Sequence, residues 1–149
     1  MKKMEGQMNN LLIHALDYSA HGFAVFPLRP RTKIPLTPNG FKNATKNPEQ
    51  IKSWWALFPD ANIGIATGKV SGLWVLDVDG EYPDSLPILP SPTVKTAKGY
   101  HYYFICPTDE KIQSRSRIEG QAIDVRGDGG YVVAPPSIHP NGHQYVFIT

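Results

Sequence analysis

Residues 93–106 read TVKTAKGYHYYFIC. TVKTAKG and YHYYFIC are two strand-forming runs that meet at a glycine, so they read as a hairpin or strand pair. The alternation is partial, because the second run is apolar almost throughout. Just upstream, GLWVLDVD (72–79) is another strand. Downstream, QAIDVRG, GYVVAPP and HQYVFIT are three short strands separated by turns that contain Gly and Pro. These connections are too short for the crossover helices that parallel neighbours need. The fold class is therefore α+β, and a doubly wound sheet is excluded.

The first half is mixed. NNLLIHALDYSAHG spaces Leu11, Leu12, Ala15, Leu16 and Tyr18 as a helix does, with Gly22 as its stop. FAVFPL follows as a strand, and RPRTKIPLTPNG as a proline-interrupted loop. NPEQIKSWWALF is a short helix with Asn47 as cap and Pro48 at its first position. NIGIATG is a strand running into a glycine turn. EYPDSLPILPSP holds four prolines and is irregular, and DEKIQSRSRIEG is a polar loop. Residues 1–10, MKKMEGQMNN, are expected to be a flexible leader; they lack the apolar core of a secretory signal. Residues 11–149 are expected to form a single domain.

The length of 149 residues suits one domain, and 41% hydrophobic content against 19% charged supplies a core. A net charge of +2 permits an anionic partner without demanding one. The single thiol, Cys106, excludes an internal disulfide and a cysteine-based zinc site, so zinc is not expected and a reducing cytoplasm is. No run approaches the ~18 apolar residues of a membrane span, so no membrane partner is expected.

Three clusters can carry chemistry. Asp77 and Asp79 sit at i and i+2 and share one strand face. Two like charges this close raise each other's pKa unless a cation compensates, and Mg²⁺ or Mn²⁺ suits carboxylate oxygens. A strand end entering solvent at an Asp-Gly turn explains the same residues. His101 follows Gly99 into an aromatic strand, where it can donate to a phosphate, move a proton, or make a structural hydrogen bond. The neighbouring Tyr100, Tyr102, Tyr103 and Phe104 read as sheet core before base-stacking platform. Lys95 and Lys98 are surface residues or phosphate attractors. In IDVRGDGGYVVAPPS, Asp124 and Arg126 share a face as a salt bridge, or as a metal ligand beside a phosphate clamp. Asp128 is a turn residue, and Ser137 and His139 lie on a proline-braced strand exit, where loops often carry function.

Taken in order, NIGIATG, SGLWVLDVDG, TVKTAKGYHYYF, IDVRGDGGYVVAPPSIHPNG and YVF resemble the bifunctional DNA primase/polymerase N-terminal domain. That domain is the prim-pol branch of the archaeo-eukaryotic primase superfamily, found in plasmid, phage and mobile-element replication proteins. GFAVFPLRPRTKIPL, GFKNAT and IKSWWALFPDANIGIATG look like its opening segment, so the resemblance covers about residues 11–148.

The resemblance implies an N-terminal α/β unit packed on an antiparallel sheet unit similar to an RNA-recognition motif, with the site between them. It implies that Asp77, Asp79 and Asp124 hold two divalent ions, Mg²⁺ or Mn²⁺, and that His101 contacts the phosphates of the incoming nucleotide. Lys98, Arg126, Ser137 and His139 are the further candidates for the nucleotide, and Lys33, Arg115 and Arg117 for the template backbone. The partners implied are a DNA template and primer and deoxynucleoside triphosphates, with ribonucleotides left open, and a helicase in cis or trans. The activity implied is template-directed DNA polymerisation, with priming in addition.

The sequence departs from the family where the stretch between Asp79 and TVKT is short, since many relatives carry a longer, partly helical insert. Its loss opens the cleft or removes template contacts. The helical primase-associated and helicase domains are also expected to be absent, which puts priming from two nucleotides in doubt. Two alternatives remain: a catalytically weak nucleotide- or nucleic-acid-binding module of a larger replication protein, and a phosphotransfer or nuclease chemistry on the same carboxylates.

Overall fold

The computed structural model describes residues 10–84, 90–107 and 111–149. The leader expected at the N-terminus lies outside these residues except for Asn10, which is already helical. Helix α1 (Asn10–Ala20) turns Ala15 and Tyr18 into the core and ends at Gly22, whose φ of +92° suits a residue without Cβ. Helix α2 (Pro48–Leu57) starts as its sequence dictates. The Asn47 side chain accepts from the Glu49 N–H at 2.9 Å, and Pro48 occupies a position whose missing N–H costs nothing. It buries Ile51 and Trp55, and the Trp55 indole donates to the Ala61 carbonyl at 3.0 Å.

The strands form two antiparallel sheets. β1 (Val25–Leu28), β2 (Asn62–Ala66) and β7 (Tyr131–Ala134) make a three-stranded sheet with β2 in the middle. Every residue of β1 and β2 is buried, which is why VFPL and NIGIA are apolar almost without alternation. Both helices pack on this sheet and on each other. β3 (Leu73–Asp79), β4 (Thr93–Lys95), β5 (Gly99–Ile105), β6 (Ile123–Arg126) and β8 (Val146–Phe147) make a five-stranded sheet in the order β6-β3-β5-β4-β8. One core joins the two sheets: Leu73, Val75, Val94 and Tyr103 of the larger pack with Phe26, Ile63, Ile65 and Val132 of the smaller.

The α+β expectation holds, with one rearrangement. β7 comes late in the chain yet pairs with β2, so the helix-bearing unit is completed by the strand-rich half. Among the described residues no α-helix follows Leu57, and the five-stranded sheet carries none. The apolar run of β5 resolves into two faces. His101 and Tyr103 point inward, while Tyr100, Tyr102 and Phe104 lie half-buried on the outer face, where Phe104 stacks on Trp74 with centroids 4.5 Å apart. The proline-rich stretch is irregular where it is described; residues 85–89 lie outside the described set. The polar loop contains isolated bridges at Gln113 and Arg115 and a 3-10 turn (Ile118–Gly120). Among the described residues no helix is long and apolar enough to cross a membrane.

Candidate active site

The inner face of β3 changes character along its length. Leu73 and Val75 are buried in the core, and the next two residues on that face are Asp77 and Asp79. Strand register then sets their neighbours. Asp77 lies opposite His101 of β5 on one side and Asp124 of β6 on the other. Directly paired residues project to the same face, so His101, Asp77 and Asp124 form a row across three adjacent strands. Val94 and Phe147 continue the row through β4 and β8. One pleat deeper, Arg126 lies opposite Val75 and reaches back to the carboxylates.

Arg126 resolves the charge problem that this row creates. Two carboxylates on paired positions about 5 Å apart repel by about 3 kcal/mol at an effective dielectric near 20. One guanidinium nitrogen, Nη2, donates to Asp77 Oδ2 at 3.3 Å and to Asp124 Oδ2 at 3.1 Å. The other Asp124 oxygen accepts the backbone N–H of Arg117 at 2.8 Å. His101 Nε2 lies 3.5 Å from Asp77 Oδ1, a long contact. Burial pushes the Asp77 carboxyl up, but His101 and Arg126 outweigh it and hold the group below its ordinary value. Among the described residues nothing pins the exposed Asp79 carboxylate, whose backbone N–H donates to Ala122 O at 2.9 Å.

These groups floor a cleft of about 650 Å³ between the two sheets. Lys33 and Phe41 line it from the first unit, and Lys98, His139 and Tyr145 from the second. Lys98 is carried on the β4–β5 turn, closed by the Gly99 N–H donating to Thr96 Oγ1 at 3.0 Å. Gly99 is required there, since a Cβ would collide with the Val78 carbonyl oxygen beside Asp79. His139 Nδ1 accepts the Asn141 N–H at 3.1 Å, which leaves its proton on Nε2 as a donor. Tyr145 packs beside both histidines, with ring centroids 6.2 Å from His101 and 6.4 Å from His139. Burial, then the Asp77 charge, pushes its hydroxyl up to about 12, so it stays protonated at neutral pH.

Eight of the eleven residues singled out from the sequence are placed in or at this cleft: Asp77, Asp79, His101, Asp124, Arg126, Lys98, Lys33 and His139. Ser137 is placed elsewhere. It is fully buried, and its Oγ accepts the Ile63 N–H at 2.7 Å, so it holds the three-stranded sheet and is not offered to a nucleotide. Arg115 and Arg117 do not line the cleft; both are exposed on the segment that pairs beside β6. Asp128 is structural as expected: its Oδ1 accepts the Lys69 N–H at 2.8 Å. His101 Nδ1 is buried without a partner, so its ring presents only Nε2, and that nitrogen faces Asp77. Sequence reasoning missed Tyr145, Thr96 and the backbone N–H of Arg117. For Tyr145 no sequence signal exists; only the fold shows it buried beside both histidines. The Arg117 contact depends on a left-handed residue, φ 49°, that no motif marks.

The carboxylate set can be tested as a cation site. Among the described residues no three His, Cys, Asp or Glu side chains converge on one point as they stand. Two do converge, on the Arg126 nitrogen, which marks a bridging position between hard oxygen donors. Such donors suit Mg²⁺ or Mn²⁺, and Asp79 is free to turn toward them. The donor set is of the chemical kind that divalent ions take, with Arg126 in the bridging position as the structure stands.

No curated protein matches the chain. The family described as bifunctional DNA primase/polymerase, N-terminal, matches residues 15–149. That match spans all of α2, both sheets and every residue of the cleft, and on it the chain belongs to the Prim-Pol family of DNA primases/polymerases.

Proposed function

We propose that this domain is a metal-dependent nucleotidyltransferase that extends DNA on a template, with priming as a further activity in the replication of a plasmid, phage or mobile element. The observation that carries the reading is the Asp124–Asp77–His101 row at the floor of a cleft whose walls are cationic. Asp77, Asp79 and Asp124 would hold two Mg²⁺ or Mn²⁺ ions. Bound there, the ions would activate a primer 3′-hydroxyl and stabilise the pyrophosphate leaving group. The chain's own residues do the rest. Lys98 on the β4–β5 turn, the His139 Nε2–H on the loop after β7 and Arg126 on β6 present donors to a triphosphate from different sides, which fixes its direction across the floor. His101 adds its Nε2–H from the β5 side. The protonated Tyr145 hydroxyl is a neutral donor at the same wall. Lys33 on the cleft and the exposed Arg115 and Arg117 on the segment beside β6 meet template phosphates.

A second reading has an observation of its own. If the Arg126 bridge between Asp77 and Asp124 is permanent, the carboxylates are spent on a salt bridge and the domain only binds nucleotide or nucleic acid. Primer extension with the four deoxynucleotides and Mn²⁺ separates the two. The polymerase reading expects extension by the wild type and none by Asp77→Ala/Asp79→Ala. Nucleotide binding with no extension favours the binding module. Cleavage of the primer without added triphosphate favours a nuclease instead.

A further inference from the structure

We propose that Arg126 is a built-in occupant of the metal position, and that it couples nucleotide binding to metal binding by leaving it. The proposal rests on reading the cleft as a metal-dependent nucleotidyl-transfer site. Its starting point is that one atom, Arg126 Nη2, lies 3.3 Å from Asp77 Oδ2 and 3.1 Å from Asp124 Oδ2. A magnesium ion bridging the same two oxygens needs about 2.0–2.1 Å to each. It would then press directly against the guanidinium, and a divalent cation and an arginine at that separation repel. The ion and Arg126 in its present position exclude one another.

The side chain is able to move. Arg126 is 34% exposed, and the cleft it lines is open at Gly129, where even a Cβ would meet nothing within 4 Å. Its alternative partner is a phosphate, which an arginine grips through two parallel hydrogen bonds. A triphosphate entering the cleft draws the guanidinium off the carboxylates, and the exposed oxygens then accept the ion. Without a phosphate, the ion must displace Arg126 into water. Each ligand therefore favours the other, and the factor is the same whichever binds first. Arg126 is thus a positioning residue for the metal as well as a contact for the nucleotide. The device suits an enzyme that must not load its metals before its substrate.

The test is direct Mn²⁺ binding, read from the free-ion resonance signal, for wild type, Arg126→Gln, Arg126→Lys and Asp77→Asn. Each is measured alone and with a non-hydrolysable deoxynucleoside triphosphate analogue. The expectation is that Arg126→Gln binds Mn²⁺ alone at least about tenfold more tightly than wild type, within the usual range of site coupling. The analogue should then tighten Mn²⁺ less for this variant than for wild type. Arg126→Lys keeps a cation without the fork and should fall between them. If Arg126→Gln and Arg126→Lys bind Mn²⁺ alone no better than wild type, while Asp77→Asn still abolishes binding, the latch is wrong and the metal site stands. If no protein binds Mn²⁺ with or without the analogue, the metal site itself falls, and the latch with it. Should the glutamine variant fail to fold, the wild type decides. The Nε–H resonance of Arg126, assigned by its loss in Arg126→Lys, must shift when Mg²⁺ and the analogue bind; a resonance that stays put overturns the proposal.

Discussion

The two sheets solve opposite problems. In the three-stranded sheet β1 and β2 are buried at every position, and Phe26 lies over Gly64 where a Cβ would meet its ring at 2.8 Å. In the five-stranded sheet the inner face of β3 passes from Leu73 and Val75 to Asp77 and Asp79, and Asp77 repels Asp124 on the neighbouring strand. The first region spends its residues on packing, and the second leaves charge where packing would have been more stable. A change in the first should therefore be felt as lost stability with unchanged chemistry per folded molecule. A change in the second should leave stability nearly intact and remove chemistry.

The largest effect should come from Phe26→Ala. Truncating a buried phenylalanine costs about 3–5 kcal/mol, a large share of the stability of a single domain, which is about 5–15 kcal/mol. Denaturant melts should show that loss, while extension per folded molecule stays at the wild-type rate. If the rate falls more than the folded fraction does, the sheets are not separable in this way.

Asp77→Asn should invert the result. Losing a ligand of the ions that would stabilise the developing charge should lower the rate by at least about 10²–10³-fold, the worth of a single stabilising donor. Stability should change by less than about 1 kcal/mol, because Arg126 keeps Asp124 and the repulsion between carboxylates is relieved. Primer extension and a melt on one sample check both halves. His139→Ala comes next, with a rise of about tenfold in the nucleotide KM, the worth of one hydrogen bond to a charged group. Extension rate at saturating nucleotide should move less than KM.

A smaller effect separates the two roles of Asp77 by pH. Its folded pKa lies below the ordinary carboxylate value. Such a group stabilises the fold above its unfolded pKa and loses that contribution as the pH falls through the folded value. The stability gap between wild type and Asp77→Asn should thus be constant near neutrality and shift against the wild type below about pH 4. Melts in a pH series check the sign; a gap that shifts toward the wild type in acid contradicts the balance of forces assigned to this carboxyl.

Much of this comparison was legible in the sequence, and the parts that were not have physical reasons. Helix α2 was readable down to its cap, because Asn47 and Pro48 act on their own turn. The shared face of Asp77 and Asp79 follows from the period of a strand alone. The row that adds His101 and Asp124 depends on register between strands, which no local motif encodes; the family resemblance grouped these residues around a site without it. Ser137 could not be placed from PPS alone, which marks a proline-braced strand exit and not what that exit packs on. In the fold β7 returns to β2 and brings Ser137 against the Ile63 N–H, a pairing across 74 residues. The two faces of β5 were hidden because its outer face is aromatic, so polarity does not alternate.

The finest division falls on Arg117, which belongs to both halves of the comparison. Its backbone N–H holds the Asp124 carboxylate, while its side chain is exposed. Its φ of 49° is a conformation that glycine adopts freely. Arg117→Gly therefore keeps the N–H in place. The strain it relieves, about 1–2 kcal/mol, and the added freedom of the unfolded chain, about 0.4–1 kcal/mol, oppose one another, so the melting point should move little. With Asp124 still held, extension at saturating DNA should also stay close to wild type. What should change is the salt dependence of template binding, since each lost phosphate contact lowers the slope of log K against log salt by about 0.7–0.9. If the slope is unchanged, this arginine does not meet DNA and its role is local: the backbone contact to Asp124 and the side-chain contact to the Gly120 carbonyl. If extension falls while the slope holds, the backbone donor itself depends on the arginine side chain, and the separation of scaffold from charge fails at this residue.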